Sequence, residues 1–526
     1  LLYTQRERLS RSGVLIVGPS PVFLRYIDQV LPSLGESDIV STTVTGLLPG
    51  VEATGADTPR AARIKGSPVW RTIAANAVRS VLERPLDRPV SFTIDSSPVT
   101  LTPSHVEDAQ QRARRGGRPH NEARETYARI LVEELANQVA AHKEMALEDA
   151  GWIVDEVVFS RDARREINLR WLPSSPVQLL ERLYARPRLL AMCAPELSPE
   201  EIEEVRRPKG SPITAADIPI LDELAECLGP FRTDFEKRQR AAAQARDAEL
   251  SEYVKETMSS MNLGGGIVNL EQLTERAAGS GPQSSLADRA SSDRTWTYGH
   301  IVVDEAQELS PMQWEMLARR CPTRSMTVVG DLDQRPDGSP AGGWTGVLGR
   351  LGSSARIENL TVSYRTPATI LRSAGRTLAA AGVSVLPVEA ARDLPDCLAF
   401  TAIEADGREG AVVRSAKELR AWLDAEYGPG EGTLAVIVPA GLRDGVAEAL
   451  AGDPELAECV KADSAGLTRI SVLSAIEAKG LEYDAVVLVE PSSVLAEGPG
   501  NLYVAMTRPT RRLDVLYSGE LPAGMA

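Results

Sequence analysis

The sequence predicts an α/β fold with two parallel-sheet domains and a large, mostly helical insertion in the first. Three observations carry this. Short apolar runs bounded by Gly or Asp occur at 14–17 (VLIV), 301–303 (IVV) and 326–329 (MTVV). The same pattern returns in the C-terminal third, at 435–438 (AVIV), 470–473 (ISVL) and 485–489 (AVVLV). Unbroken runs of this length are how strands buried on both faces read. Residues 18–300 separate the first run from the second, and much of that stretch has helical spacing.

Taken in order, the elements support this division. From Asn121 to Ala150 the apolar residues Tyr127, Ile130, Leu131, Leu135 and Val139 keep i, i+3/i+4 spacing, with Gly151 as the expected stop. Ser198-Pro199-Glu200-Glu201 is a capping box with proline at the first helical position. These signals place a helical inserted domain at 37–204, between residues 1–36 and 205–350 of the first sheet domain. The second sheet domain is expected at 351–526. A flexible acidic insertion is expected at 228–298. There Leu250, Val254 and Met258 form one helical stripe with Asp247, Glu249, Glu252 and Glu256 off it. Gly264-Gly265-Gly266 and the run 278–293 follow with loop composition.

Composition excludes several classes. No apolar run reaches the length of a membrane span, and the N-terminus is not a signal peptide. The five cysteines are odd in number and far apart, without a Cys-x-x-Cys pair, and the four histidines are scattered. A disulfide framework and a zinc site are therefore not expected, and a reducing cytoplasm fits. The formal net charge of −15 argues against an extended surface for a phosphate backbone. It suits docking on a basic surface that otherwise holds nucleic acid, and equally suits ordinary solubility charge.

Residues 300–310 read HIVVDEAQELS. A strand ending in Asp304-Glu305 can hold a hydrated Mg²⁺ on Asp304 and orient or deprotonate a water with Glu305. A second strand ends in Gly330-Asp331-Leu332-Asp333-Gln334, where Gln334 can sense a γ-phosphate. In Ser363-Tyr364-Arg365-Thr366-Pro367, Arg365 offers a fork of donors for phosphate and Tyr364 a ring for stacking. Lys479-Gly480-Leu481-Glu482-Tyr483-Asp484 combines a glycine that permits close backbone approach with a glutamate able to accept from a ribose hydroxyl. Tyr503-Val504-Ala505-Met506-Thr507-Arg508 leads to an arginine placed to neutralise developing phosphate charge. No Gly-x-x-x-x-Gly-Lys-Ser/Thr loop is present.

The ordered set Asp-Glu-Ala-Gln, Gly-Asp-x-x-Gln, Tyr-Arg, Lys-Gly-Leu-Glu-Tyr-Asp and Tyr-Val-Ala-x-Thr-Arg resembles motifs II to VI of the UvrD/Rep-like superfamily 1 helicases, over residues 300–513. The resemblance implies two RecA-like domains around ATP and Mg²⁺. It implies Asp304 as metal ligand, Glu305 as catalytic base and Gln334 as γ-phosphate coupler. Tyr364 would stack on adenine, Arg365 and Arg508 would hold the γ-phosphate, Gly480 would line the nucleotide, and Glu482 would bind ribose. In that family a helix connects the phosphate loop to the strand of motif Ia. Leu1–Leu9 is similar to the tail of such a helix, and the chain opens Leu-Leu-Tyr. The chain is thus expected to be a fragment of a protein that carries the loop, and to be inactive for lack of it.

The departures are specific. The family's Ser-Ile-Tyr-x-Phe-Arg-Gly, whose aromatics stack on single-stranded bases, is replaced by Gln334-Arg335-Pro336-Asp337-Gly338-Ser339-Pro340, with only Trp344 downstream. The histidine of motif V is absent from Ser474-Ala475-Ile476-Glu477. Motif Ia is replaced by residues 17–28, within the segment 17–36 (VGPSPVFLRYIDQVLPSLGE), and no room remains for a large 2B insertion. With the acidic insertion, this pattern resembles the HelD family of bacterial RNA polymerase-associated factors. The resemblance implies an ATP-driven, cytoplasmic, nucleoid-associated protein. It would be monomeric apart from its complex with core RNA polymerase and would meet nucleic acid transiently. Asp247, Glu249 and Glu252 are the candidate polymerase-binding acids. The cluster Arg112, Arg114, Arg115 and Arg118 is either a contact for nucleic acid or polymerase, or ordinary surface. A 3′→5′ DNA translocase of repair and a non-catalytic polymerase-binding module are the competing expectations.

Overall fold

A computed structural model describes residues 13–20, 24, 39–146, 151–231, 289–290, 293–335, 342–383, 387–461 and 468–526. Asp247, Glu249, Glu252, the triple glycine and most of the segment 17–36 lie outside the described residues. Numbered along the chain, the strands are β1 (Val14–Val17), β2 (Ile39–Thr42), β3 (Val90–Ile94), β4 (Ser97–Leu101), β5 (His300–Val303), β6 (Met326–Val328), β7 (Val362–Ser363), β8 (Glu389–Ala390), β9 (Leu398–Ala402), β10 (Leu434–Ile437), β11 (Ile470–Leu473), β12 (Tyr483–Val489) and β13 (Pro509–Tyr517). The chain divides into two compact units. One comprises Leu1–Val14, Gly35–Gly299 and Ser310–Thr323; the other comprises Leu15–Leu34, His300–Leu309 and Arg324–Ala526.

The second unit is built on a sheet of order β11-β10-β12-β13-β9, every pair parallel. Its side chains alternate between two cores, as the pleat requires. Ala435, Ile437, Val486, Leu488, Leu513 and Val515 pack with Ile370, Ala374 and Leu378 of the helix Ala368–Ala380. Leu434, Val436, Val438, Ala485, Val487 and Val489 pack with Val412, Ala416, Leu419 and Leu423 of the helix Arg408–Tyr427. Covering both faces is what makes these strands read as unbroken apolar runs. In the same unit β5 and β6 pair in parallel, with β1 on the other side of β5. The α/β class with parallel sheets expected for RecA-like domains is the class the chain adopts. The carboxyl end of β5 runs straight into Asp304 and that of β6 reaches Asp331 after Val329 and Gly330, at the sheet edge where open parallel sheets place their ligands.

The first unit is mostly helical. The helix His120–His142 buries Tyr127, Ile130, Leu131, Leu135 and Val139, the stripe its spacing predicts, against the helix Pro103–Arg115 and the antiparallel hairpin β3–β4. It ends at His142, earlier than expected. Glu144 takes a left-handed conformation, and the amides of Glu144 and Met145 return to Ala141 and Ala140, closing the helix as a Schellman motif with Glu in the usual glycine position. Gly151 precedes the next helix, Trp152–Phe159. The capping box at Ser198–Glu201 forms as expected.

Two buried ionic networks also tie this unit. Lys65 lies 2.9 Å from Asp217, whose carboxylate also accepts from Tyr184 and Arg207. Asp222 accepts from Arg319 and Arg320. Burial pushes the Asp217 carboxyl up, but Lys65, the Thr214 amide and Arg207 outweigh it and hold it below the usual carboxylate range. Burial likewise opposes Arg320 and Arg319 at Asp222, and the two guanidinium groups prevail.

Candidate functional site

The residues singled out in the motifs converge within the second unit. The Asp304 amide donates to Val17 O at 3.0 Å, which fixes the exit of β5 against β1. The Asp304 carboxylate then accepts the Glu305 amide at 2.9 Å. Glu305 itself sits in the left-handed region at φ 49°, ψ 42°. A non-glycine residue held there costs about 1–3 kcal/mol and persists where its surroundings over-determine it. The surroundings are evident: the next amide, of Ala306, donates to Val329 O at 3.0 Å, so the elbow is stitched to the end of β6.

Gln307 joins the two carboxylate loops. Its Nε2 donates to Glu305, and its Oε1 accepts the Asp331 amide at 3.0 Å. Asp331 in turn accepts the Asp333 amide at 3.0 Å and Gln334 Nε2 at 3.0 Å. The Gln334 side chain is therefore held by one end, and its Oε1 accepts from Arg508 Nη2 at 3.4 Å. Arg335 donates to Gln307 O at 2.8 Å, closing the turn.

Arg508 follows the helix Pro499–Thr507 and is 2% exposed. Its Nε donates to Val504 O at 3.2 Å and its Nη1 to Leu481 O at 3.1 Å, which aims the remaining nitrogen at Gln334. Burial, reinforced by the Arg365 charge and opposed by Glu305 and Asp331, brings its pKa down to about 10. It remains a cation at neutral pH. Burial also pushes the Glu305 carboxyl up, with Asp304 adding to the effect and the Gln307 hydrogen bond and the Arg508 charge opposing it. A half-buried carboxylate displaced toward neutrality, beside a buried guanidinium, is the pairing expected where a proton is to be taken and negative charge stabilised.

Gly480 adopts φ +75°, and a Cβ there would stand 3.6 Å from Glu305 Oε1 and 4.0 Å from Pro19 Cγ. It brings backbone close to the glutamate without strain. Arg365 and Glu482 pair with each other at 2.9 Å, both exposed. Tyr364 is 77% exposed. Asp304, Glu305, Gln334, Arg508, Arg365, Gly480 and Glu482 are thus brought into one neighbourhood. Gln307, Asp331 and Arg335 have no role assigned from sequence, although all three stand inside or beside the two motifs already singled out. Trp344 is half-buried; its ring would lie 2.7 Å from a Cβ at Gly330, so it packs on the loop after β6.

Mg²⁺ fits this donor set. It is held by one or two protein carboxylates, with phosphate oxygens and water completing its octahedron, and Asp304 supplies such a carboxylate.

Residues 203–335 match the UvrD/REP helicase N-terminal domain, which supports a relative of the superfamily 1 helicases. Among curated proteins none matches the chain. Solved structures similar to it include the C-terminal domain of a possible DNA helicase from Lactobacillus plantarum, at 23% identity and a TM-score of 0.23, covering 31% of this chain and 92% of that one. Arterivirus nonstructural protein 10, a helicase, is similar at 16% identity and a TM-score of 0.25, covering 44% and 42%. The PRRSV helicase is similar at 14% identity and a TM-score of 0.23, covering 42% and 35%. The chain therefore spans less than half the length of the two viral proteins.

Proposed function

We propose that this chain is the engine of an ATP-driven factor of the HelD type, which binds core RNA polymerase in the bacterial cytoplasm, dissociates nucleic acid from the stalled enzyme and recycles it. One observation carries the reading. The residues suited to ATP hydrolysis are gathered around the Glu305–Gln307–Asp331–Gln334–Arg508 chain of hydrogen bonds, while the aromatic motif that would follow a DNA strand is replaced. Work coupled to that chain would then be spent on a partner other than a strand. The domain boundaries given above, and Asp247, Glu249 and Glu252 as polymerase contacts, belong to this reading.

When bound, Mg-ATP supplies the phosphoryl group and the metal's charge. Asp304 would hold the metal. Glu305, its carboxyl raised by burial, would accept the proton of the attacking water. Arg508, already desolvated and aimed by two carbonyls, would stabilise phosphate charge without reorganising. Gln334 connects the two, so a change at the Arg508 side is transmitted through Asp331 and Gln307 to Glu305. Gly480 would allow the phosphates to approach backbone, and Arg365 would exchange Glu482 for phosphate. Tyr364 would stack on the base and Glu482 would bind the ribose.

The match of residues 203–335 to the UvrD/REP domain supports a second reading, a 3′→5′ DNA translocase. Pull-down of core RNA polymerase by a form of the protein that carries the phosphate loop separates them. Retention of polymerase at moderate salt is expected. Failure to retain it, with efficient strand separation in its absence, would select the translocase.

A further inference from the structure

The first unit contains a cavity of about 450 Å³ in which the charge of this acidic chain is reversed. Its lining brings Arg182, Arg186 and Lys209 together with Leu82, Leu172 and Pro173. Among the described residues none of the three cations has an acidic partner. Glu181 is the one carboxylate on the lining, and it accepts the Gly210 amide at 3.2 Å. Burial, with the neighbouring Arg186 and Arg84 charges adding to it, lowers the Arg182 pKa. On a chain with 73 acidic and 58 basic residues, a local cluster of uncompensated cations requires an explanation.

Several lining residues are hydrogen-bonded into the fold. The Leu172 amide donates to Leu82 O at 2.9 Å, and Leu172 O accepts from His120 at 2.8 Å. The helix Pro176–Tyr184 that carries Arg182 begins in a capping box at Ser175 and Gln178. A concave site lined by apolar side chains and a few charged ones is the usual form of a small-ligand site, and the volume falls in the range of about 300–1,000 Å³ that such sites occupy. A surface for single-stranded nucleic acid combines a groove with aromatic stacking platforms; among the described residues no aromatic side chain lines this cavity.

We propose that this cavity binds a small organic phosphate, a compact molecule carrying two or more phosphate charges, through Arg182, Arg186 and Lys209. The site is separate from the one formed around Glu305 and Arg508 and does not rest on the reading given to it.

The test is isothermal titration of the 526-residue chain with inorganic pyrophosphate and with fructose 1,6-bisphosphate, at low and at physiological salt. Binding that weakens as salt rises is expected. Removing two charge-assisted contacts in Arg182→Gln/Arg186→Gln should weaken it at least about a hundredfold. The exposed Lys209→Gln should weaken it less. Unliganded melting temperatures of Arg182→Gln/Arg186→Gln and Lys209→Gln should match the parent, and if the double variant fails to fold, Lys209→Gln alone decides. Absence of binding, or binding indifferent to all three cations, overturns the proposal. So does a dT20 oligonucleotide that binds through these arginines when neither small phosphate does.

Discussion

Gly500→Ala is the most direct probe of how the arginine reaches the carboxylate loops. Gly500 lies in the first turn of the helix Pro499–Thr507, against the turn Leu332–Gln334. A Cβ built there stands 1.9 Å from Arg335 O, 2.5 Å from Arg335 C and 2.8 Å from Gln334 C. Ordinary contact begins near 3.4 Å, so helix and turn must separate by roughly 1.5 Å. The obstructing atoms are backbone and cannot rotate aside. Overpacking of this kind costs about 1–3 kcal/mol. Alanine returns about 1 kcal/mol of helix propensity. The expected net effect is a destabilisation of about 0–2 kcal/mol, with a larger effect on geometry. The hydrogen bond from Arg508 to Gln334, already 3.4 Å long, does not survive such a separation. Urea unfolding of the purified variant beside the parent measures the first effect. A variant more stable by about 1 kcal/mol would reveal the propensity gain alone. It would mean that helix and turn do not touch, and the assembled site would have to be abandoned.

Three further substitutions probe the carboxylate, the guanidinium and the buried network. Glu305→Gln should slow hydrolysis by about 10²–10⁴-fold in a chain that carries a phosphate loop while leaving nucleotide binding intact; equal loss of both would remove Glu305 from the role of base. The same substitution should raise thermal stability near pH 7. A carboxyl raised on folding adds stability below its unfolded value and loses it as pH rises through the folded one, so the advantage of Gln should grow from pH 4 to pH 7. Arg508→Gln strips donors from the Val504 and Leu481 carbonyls and should cost about 1–3 kcal/mol in urea unfolding; a neutral result would mean that the guanidinium is solvated. Lys65→Met leaves Asp57 and Asp217 without their shared cation and should cost about 3–5 kcal/mol. Because Asp217 and Asp222 are held below the usual carboxylate range, their contribution is present above it and is lost as pH falls through their lowered values. An acid melt of the parent, followed by helical circular dichroism, should expose that loss.

The parallel strands are legible because burial on both faces leaves a continuous apolar run, and every one of the expected runs coincides with a strand to within two residues at either end. The run 326–329 stops one residue short, as Met326–Val328, because the chain turns at its end toward the loop that carries Asp331. β13 is not legible, since Pro509-Thr510-Arg511-Arg512 opens it and Arg512 answers Asp514 at 2.9 Å within the strand. The β3–β4 hairpin is hidden for a different reason. Its turn residues Asp95 and Ser96 both have positive φ, the conformation that Asn-Gly or Gly-Gly usually announces. The end of the helix at His142 is hidden likewise, with Glu144 in the place of a glycine.

The site shows the same division between what a residue is and what holds it. The chemistry of Asp304, Glu305 and Arg508 is written in their types and neighbours, and motif order brings them forward. Their coupling is not written there, because it depends on Gln307 spanning two loops and on carbonyls of Val504 and Leu481 fixing the direction of a guanidinium. Gln307 is the informative case. A glutamine has both a donor and an acceptor at its tip, so it can donate to the Glu305 carboxylate and accept an amide from the opposite loop at once. Glutamate at 307 would lose the donor and set a second charge against Glu305; leucine would lose both bonds. The amide side chain opposes the rise of the Glu305 carboxyl and keeps the two loops in register, so the Gln that follows Asp304-Glu305-Ala306 is what joins the two carboxylate loops.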